Sequence, residues 1–339
     1  MGIIPRYYYN YYDNPNPWNE EVLVSYEQII YQKTFFVEVA FDCLILLALF
    51  SFAIWACTIR NGSGPQRATI VVLVMFLISQ SLQVIADILY LAIVWVKQSY
   101  VIAYILNYVF GLASYSLLFA VFYMIIHRSL DRLTDSGKPD TAVKVVHWVI
   151  VGIVTAVSIA DFGLYTAVTV KQVESDLTYE LVKSQRNLYA ARCIIYFIVS
   201  FEILAWSIFV AVKARTSQFV SKTPVHWIVA SSLCWFGYNI MYAIVAIRYQ
   251  LNYSVYRIVP SYLGIIEVVF QFVFIVGIFT GILLSIMNWH KFGGGEVYGP
   301  APVQYPYNAT QGAYQHPQQG YQHQSYQQPQ GYVQQQQTY

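Results

Sequence analysis

Seven stretches of this 339-residue chain stay apolar for longer than the core of a soluble protein requires, and they restrict its fold more than any other feature. They cover 35–59, 68–96, 100–126, 145–170, 188–212, 225–247 and 258–287. A helix rises 1.5 Å per residue, so about 20 apolar residues cross the ~30 Å hydrocarbon core of a bilayer. A membrane strand needs only ~10 residues, so runs of this length predict helices rather than barrel strands. The expected fold is an all-α membrane protein, a seven-transmembrane helix bundle. Composition settles the solvent: 57% of the residues are hydrophobic and 11% charged, against about 25% charged in soluble domains. A net charge of +2 also provides no concentrated basic face for nucleic acid.

The connections between these runs are short and punctuated by helix breakers: Gly62, Gly64 and Pro65, then Gly137 and Pro139, then Pro224. Only residues 97–99 divide the second run from the third, yet the 59 residues from Ala68 to Ile126 are too many for one crossing. The amphipathic stretch Glu21 to Lys33 offers an alternative eighth crossing. Residues 1–34 are aromatic and polar, without the basic start and short apolar core of a cleaved leader, so the first helix is expected to act as an anchor. Beyond 287 the composition changes: Gly293 to Gly295 break the helix, and the rest is Gln, Tyr, Pro and Gly. So few aliphatic side chains cannot offset the entropy of ordering, and 288–339 is expected to be a disordered, low-complexity tail. Cys43, Cys57, Cys193 and Cys234 all lie in apolar runs and predict neither a disulfide framework nor a metal site.

Loop charge sets the expected orientation. With the N-terminus outside, inner segments hold ten Lys and Arg residues and outer segments eight. Arg128, Arg132, Lys213, Arg215 and Lys222 concentrate on the inner side, where they would present a basic face to a cytosolic signalling protein. The sequon Asn252-Tyr253-Ser254 then faces outward and can carry a glycan, whereas Asn61-Gly62-Ser63 faces the cytosol. The expected location is the plasma membrane, N-terminus out and C-terminus in.

Charge inside a bilayer is costly, so each intramembrane polar residue is a candidate site. Asp42, Asp87, Asn107, Asp161, Asn239 and Glu267 all fall about 10–14 Å below the outer hydrocarbon boundary, counting 1.5 Å per residue. Arg192, the one base within the runs, lies slightly shallower and Glu38 shallower still. Gln80, Gln83 and Asp87 share one stripe of the second helix, as do Asn107, Gly111 and Ser114 on the third, and Glu267 and Gln271 pair at i, i+4 on the seventh. This shelf suits a small cationic or hydrogen-bonding ligand, or protons and sodium coupled to transport. The structural alternative is interhelical hydrogen bonding that holds the bundle together. Glu202 falls at mid-bilayer, off the shelf. His127, His147, His226 and His290 all fall at inner helix ends, but no His-x-x-x-His pair is present, and no metal or other cofactor is expected.

Seven helices with short basic inner loops and a long inner tail resemble the G-protein-coupled-receptor type, and the size and Gln/Tyr-rich tail are similar to those of fungal seven-helix membrane proteins. The resemblance covers 35–290 and is architectural: the third helix ends Ile126-His127-Arg128-Ser129, matching Asp-Arg-Tyr only at the arginine, and the seventh ends without Asn-Pro-x-x-Tyr. Cys234-Trp235-Phe236 resembles the Cys-Trp-x-Pro switch without its proline, and the seventh helix has no lysine for a retinal Schiff base. The resemblance implies a receptor that senses an extracellular or lipid-borne ligand through the outer shelf. The alternative is a small-solute transporter or channel of the 3+1+3 parallel-repeat kind. In that reading Asp87-Ile88-Leu89-Tyr90 echoes Asn239-Ile240-Met241-Tyr242, and a glycine follows in each half at Gly111 and Gly264. It lacks the proline tetrad of the SWEET sugar carriers. No intramembrane protease motif and no paired Ser and His at one depth are present, so the chain is not expected to be an enzyme. Membrane lipids are its expected surroundings.

The topology predicts that Asn252→Gln abolishes a glycan-dependent mobility shift in intact cells while Asn61→Gln leaves it unchanged. Loss of the shift with Asn61→Gln would invert the molecule.

Overall fold

The computed structural model describes residues 18, 21–23, 32–59, 64–91, 94–133, 141–216, 223–251 and 262–291. Asn252, Lys222, the Asn61 sequon and the tail beyond 291 therefore lie outside the described residues. Seven helices follow one another: α1 (Gln32–Thr58), α2 (Gly64–Leu91), α3 (Lys97–Leu133), α4 (Thr141–Val173), α5 (Tyr179–Thr216), α6 (Thr223–Val245) and α7 (Tyr262–Met287). All seven are long and apolar enough to cross a membrane. An exposed apolar belt includes Leu47, Phe50 and Ile54 on α1, Val146, Val149 and Ile153 on α4, and Ile198, Phe201 and Val212 on α5. A belt of that extent belongs in lipid, not water. The protein is an integral membrane protein.

Local chemistry explains the helix ends. Pro65 and Pro224 occupy the first turns of α2 and α6, where a missing N–H costs nothing and the fixed φ suits a helix. Gln66 on α2 donates from Nε2 to the carbonyl oxygens of Ala56 and Ile59, satisfying two acceptors that the end of α1 leaves open. Between α4 and α5 the chain turns through Ser175 with φ 59°, and Lys171 pairs with Glu174 at 3.2 Å and Asp176 at 2.9 Å. The Lys171 ammonium holds the exposed Asp176 carboxyl below its ordinary range.

All seven extents differ from those read from hydropathy, and three of the differences are instructive. α5 begins at Tyr179 rather than 188, and α3 continues to Leu133 rather than 126. Hydropathy marks only the part of a helix that meets lipid, whereas good helix formers such as Glu180, Lys183 and Gln185 carry the hydrogen-bond ladder beyond it. α2 ends at Leu91, and Val94–Val96 (β2) pairs antiparallel with Glu21–Leu23 (β1) instead of prolonging the helix. Valine and tryptophan favour extended backbone, and the short ladder satisfies peptide groups that a broken helix would strand.

The helices close into a ring in chain order, α7 packing back on α1, and α3 also reaches inward to α5 and α6. α3 is the most buried of the seven. An aromatic column fills the centre: Trp235 on α6 packs against Tyr115, Phe119 and Phe122 of α3, and Phe279 of α7 meets Phe76 of α2 edge-on.

The seam between α6 and α7 is made by small residues. Gly277 and Gly281 form a Gly-x-x-x-Gly stripe that lets α7 lie against Ser231 and Cys234. A methyl group on Gly281 would stand 2.8 Å from the Trp227 carbonyl oxygen and 2.6 Å from Ser231 Cβ. Ser231 Oγ donates across the same seam to the Ile278 carbonyl at 2.8 Å. Gly281→Ala should therefore cost about 1–3 kcal/mol through overpacking, read as a lowered melting temperature in detergent. Gly152→Ala, with nothing within 4 Å of the new methyl, should leave it nearly unchanged.

Candidate functional site

The shelf residues separate into distinct clusters, and α3 takes part in two of them. Between α1, α2 and α3 runs a continuous chain of side chains. Ser79 Oγ donates to Asn107 Oδ1 at 2.6 Å, and Asn107 Nδ2 to Gln83 Oε1 at 2.5 Å. Gln83 Nε2 then donates to Asp87 Oδ1 at 2.9 Å. On α1, Asp42 Oδ1 accepts from Gln80 Nε2 at 2.8 Å. The Asp42 and Asp87 carboxyls lie close enough to act on each other, two like groups brought together within the bundle. Asp87 is 5% exposed, and its Oδ2 has no donor among the described residues. Glu38 crosses the face of Gly264 on α7 and brings its charge toward Asp42 and Glu267. The helix periodicity of the sequence placed Gln80, Gln83 and Asp87 on one stripe, and that stripe faces α1 and α3.

The second cluster lies between α3, α4 and α5. Arg192 Nε is 2.8 Å from Asp161 Oδ2, both side chains being buried. This is an ion pair by distance whose N–H points away from the line to the oxygen, so it gains charge attraction without a well-aligned hydrogen bond. Tyr108 supplies the alignment by donating to Asp161 Oδ2. The guanidinium lies over the rings of Tyr189 at 5.0 Å, Tyr196 at 5.3 Å and Tyr108 at 5.9 Å. Aromatic faces attract a cation, so the buried Arg192 guanidinium is enclosed in a tyrosine cage. Charge within an apolar run marks Asp161 and Arg192 in the sequence, whereas aromatic residues are too frequent in this chain for these three tyrosines to stand out.

The remaining shelf residues do not join either cluster. Asn239 Nδ2 bonds to the Trp235 carbonyl of its own helix at 2.7 Å. Gln271 accepts from Tyr242 OH at 3.5 Å, at the limit of a hydrogen bond, linking α7 to α6. Glu267 is half-buried beside Glu38.

At the opposite end the basic residues are partly engaged. Arg128 and Arg132 lie 5.1 and 5.0 Å from the ring of Trp289, and Arg132 also donates to the Trp289 carbonyl at 3.0 Å. The short turn Asn288–Lys291 after α7 is thus pinned under the end of α3. Lys213 and Arg215 stand at the end of α5. Of the four histidines at the inner helix ends, His127 and His147 come together and His226 is exposed, while the side chain of His290 lies outside the described set. Glu202, which hydropathy left without a place, bonds to His147, Tyr123 and Trp206. The i, i+4 pairs Tyr123/His127 and Glu202/Trp206 were the available signal. Among the described residues no group of three or more His, Cys, Asp or Glu side chains is disposed to hold a metal ion.

Removing one member of a buried ion pair leaves the other charge without compensation. Asp161→Asn should cost about 3–5 kcal/mol, measured by thermal unfolding in detergent. Adding Arg192→Gln to it should recover more than half of that loss.

No protein-family model matches the chain, and no curated protein matches it in sequence. The geometry itself carries the assignment this far: a seven-helix integral membrane protein with a carboxyl pair and a caged ion pair in the same half of the bundle.

Proposed function

We propose that the protein is a receptor-like seven-helix membrane protein, oriented N-terminus out in the plasma membrane. It senses an extracellular or lipid-borne ligand through the polar layer around Asp42, Asp87, Asp161 and Arg192. The observation that carries the reading is the Asp42–Asp87 pair, which receives amide donors from Gln80 and Gln83 and has no base beside it among the described residues, while Asp87 Oδ2 lacks a donor among them. A small cation or a hydrogen-bond donor supplies there what the chain does not. Acids outnumber bases around it, since Glu38 and Glu267 also lie near and Arg192 is engaged with Asp161.

Transmission follows from the packing. α3 carries Asn107 and Tyr108 in the ligand layer and Arg128 and Arg132 at its far end. A rigid helix that belongs to both layers conveys a displacement from one to the other. Release of Trp289 from the two arginines would uncover the basic face, with Lys213, Arg215 and Lys222, for a cytosolic signalling protein. No catalytic step is assigned to any residue. Ring closure through α1 and α7 favours one seven-helix unit over two three-helix repeats, because α1 and α3 share no sizeable contact among the described residues.

The carboxyl pair also favours a second reading, a proton-coupled small-solute carrier. Spin labels at Leu133 and Thr223, at the inner ends of α3 and α6, separate the two when small organic amines are applied to the outer face. Receptor action predicts a change in inter-label distance that Asp87→Asn weakens at least about tenfold in apparent affinity, or about 1.4 kcal/mol. It predicts no amine-driven proton flux into vesicles. A flux abolished by Asp87→Asn would replace the receptor by the carrier. An Asp87→Asn protein that responds like wild type would remove the pair from ligand recognition.

A further inference from the structure

The densest set of titratable groups outside the proposed ligand layer lies where α3, α4 and α5 meet farther along the bundle. His127 of α3 and His147 of α4 are both buried, with Nε2 of the first 2.7 Å from Nδ1 of the second. Their ring planes differ by 11° at a centroid separation of 4.9 Å. That separation is the N–N distance lengthened by the radius of each ring. The imidazoles therefore lie edge to edge in nearly one plane, in line for an N–H···N bond, rather than face to face. Beyond them His147 Nε2 is 3.1 Å from Glu202 Oε1 on α5. Glu202 accepts two further bonds, from Trp206 Nε1 at 3.0 Å and from Tyr123 OH. The Tyr123 ring covers the face of His147 at 4.4 Å, and Trp206 meets it edge-on at 5.2 Å.

We propose that His127, His147 and Glu202 form a binding site for a single proton, and that its occupancy ties α5 to α3 and α4. Counting hydrogens along the line leads to this. With Glu202 ionised, His147 presents its N–H at Nε2. A neutral His147 then has a bare Nδ1, so His127 donates from Nε2 and keeps Nδ1 bare. Every donor in the row points toward the carboxylate, and the trio carries one negative charge, on a Glu202 side chain that is 29% exposed.

The other charged groups acting on His127 are Lys144 of α4 and Asp131 of α3, and these neutralise each other at 3.4 Å. One proton taken up at His127 Nδ1 makes the trio neutral. The His127 Nε2 proton can pass to His147 Nδ1, and the His147 Nε2 proton then faces the Glu202 carboxylate, so one proton enters and no electron moves. The face of Tyr123 favours the imidazolium. A second proton would set N–H against N–H across 2.7 Å with no acceptor between them. The site holds one proton and refuses the next, and the bond to α5 changes from dipole–charge to charge–charge when it fills.

The test uses the full-length protein, labelled with ¹⁵N-histidine, in lipid nanodiscs, with imidazole signals assigned through His127→Gln and His147→Gln. From about pH 8 to about pH 5, where imidazoles ordinarily titrate, the two signals should shift together and account for one imidazolium between them. Glu202→Gln, which keeps the shape and removes the charge, should weaken proton uptake at least about tenfold, one pH unit. A spin-label distance between α4 and α5 should follow the wild-type titration and lose its pH dependence in Glu202→Gln. Two imidazoles that titrate separately to two imidazoliums, absence of uptake in the window, or an unchanged titration in Glu202→Gln would each overturn the proposal. Should His147→Gln fail to fold, His127→Gln and Glu202→Gln still decide it.

Discussion

A polar side chain in hydrocarbon has no water to bond with, so it must find its partner across a helix seam or leave its bonding capacity unused. That constraint organises this protein more than any single apolar contact does. Asn107, Tyr108, Tyr115, Tyr123 and His127 are spread along α3 and together bond to four neighbouring helices: to Gln83 of α2, Asp161 of α4, Tyr238 of α6, Glu202 of α5 and His147 of α4. Apolar packing alone would let a lipid-solvated helix slide or rotate, since lipid is as apolar as leucine. These bonds fix the rotation of α3, and α3 fixes the ring.

The two outer clusters meet the constraint differently. Arg192 and Asp161 cancel each other and are enclosed by aromatic rings, so that corner of the bundle is electrically closed. Asp42 and Asp87 are like groups, and Gln80 and Gln83 each supply a donor to one carboxyl oxygen, leaving Asp87 Oδ2 without a donor among the described residues. The two clusters differ in charge, a carboxyl pair in one and a neutralised ion pair in the other, while each retains a carboxyl oxygen without a donor among the described residues, Asp87 Oδ2 and Asp161 Oδ1.

Much of the fold was legible because lipid imposes a simple length rule on apolar runs, and the seven spans follow from it. The ends were less legible. Tyr179 to Asn187 is helical although polar, and Val94–Val96 is extended although apolar, because water-side backbone bonding rather than hydropathy decides there. The i, i+3, i+7 stripe on α2 located Gln83 and Asp87 correctly on one face. Depth counting likewise put Arg192 only slightly shallower than Asp161, and the two meet. It could not foresee that Asn239, at the same depth, would bond to its own helix.

What the sequence by itself determined is the class of the molecule, the number of crossings and the depth of each polar residue, since these depend on local composition and on a fixed rise per residue. Only the tertiary structure decided which polar groups meet. Rotation of each helix about its axis and the ring order of the helices are set by packing of side chains far apart in the chain. Gly277 and Gly281 against Ser231 and Cys234 are one such contact, and the aromatic column around Trp235 is another. His147 and Glu202 stand 55 positions apart in the sequence, and nothing in their local surroundings foretells a 3.1 Å contact. The bundle brings them together because α3, α4 and α5 share one seam, and in a medium without water that seam is where their polar groups must bond.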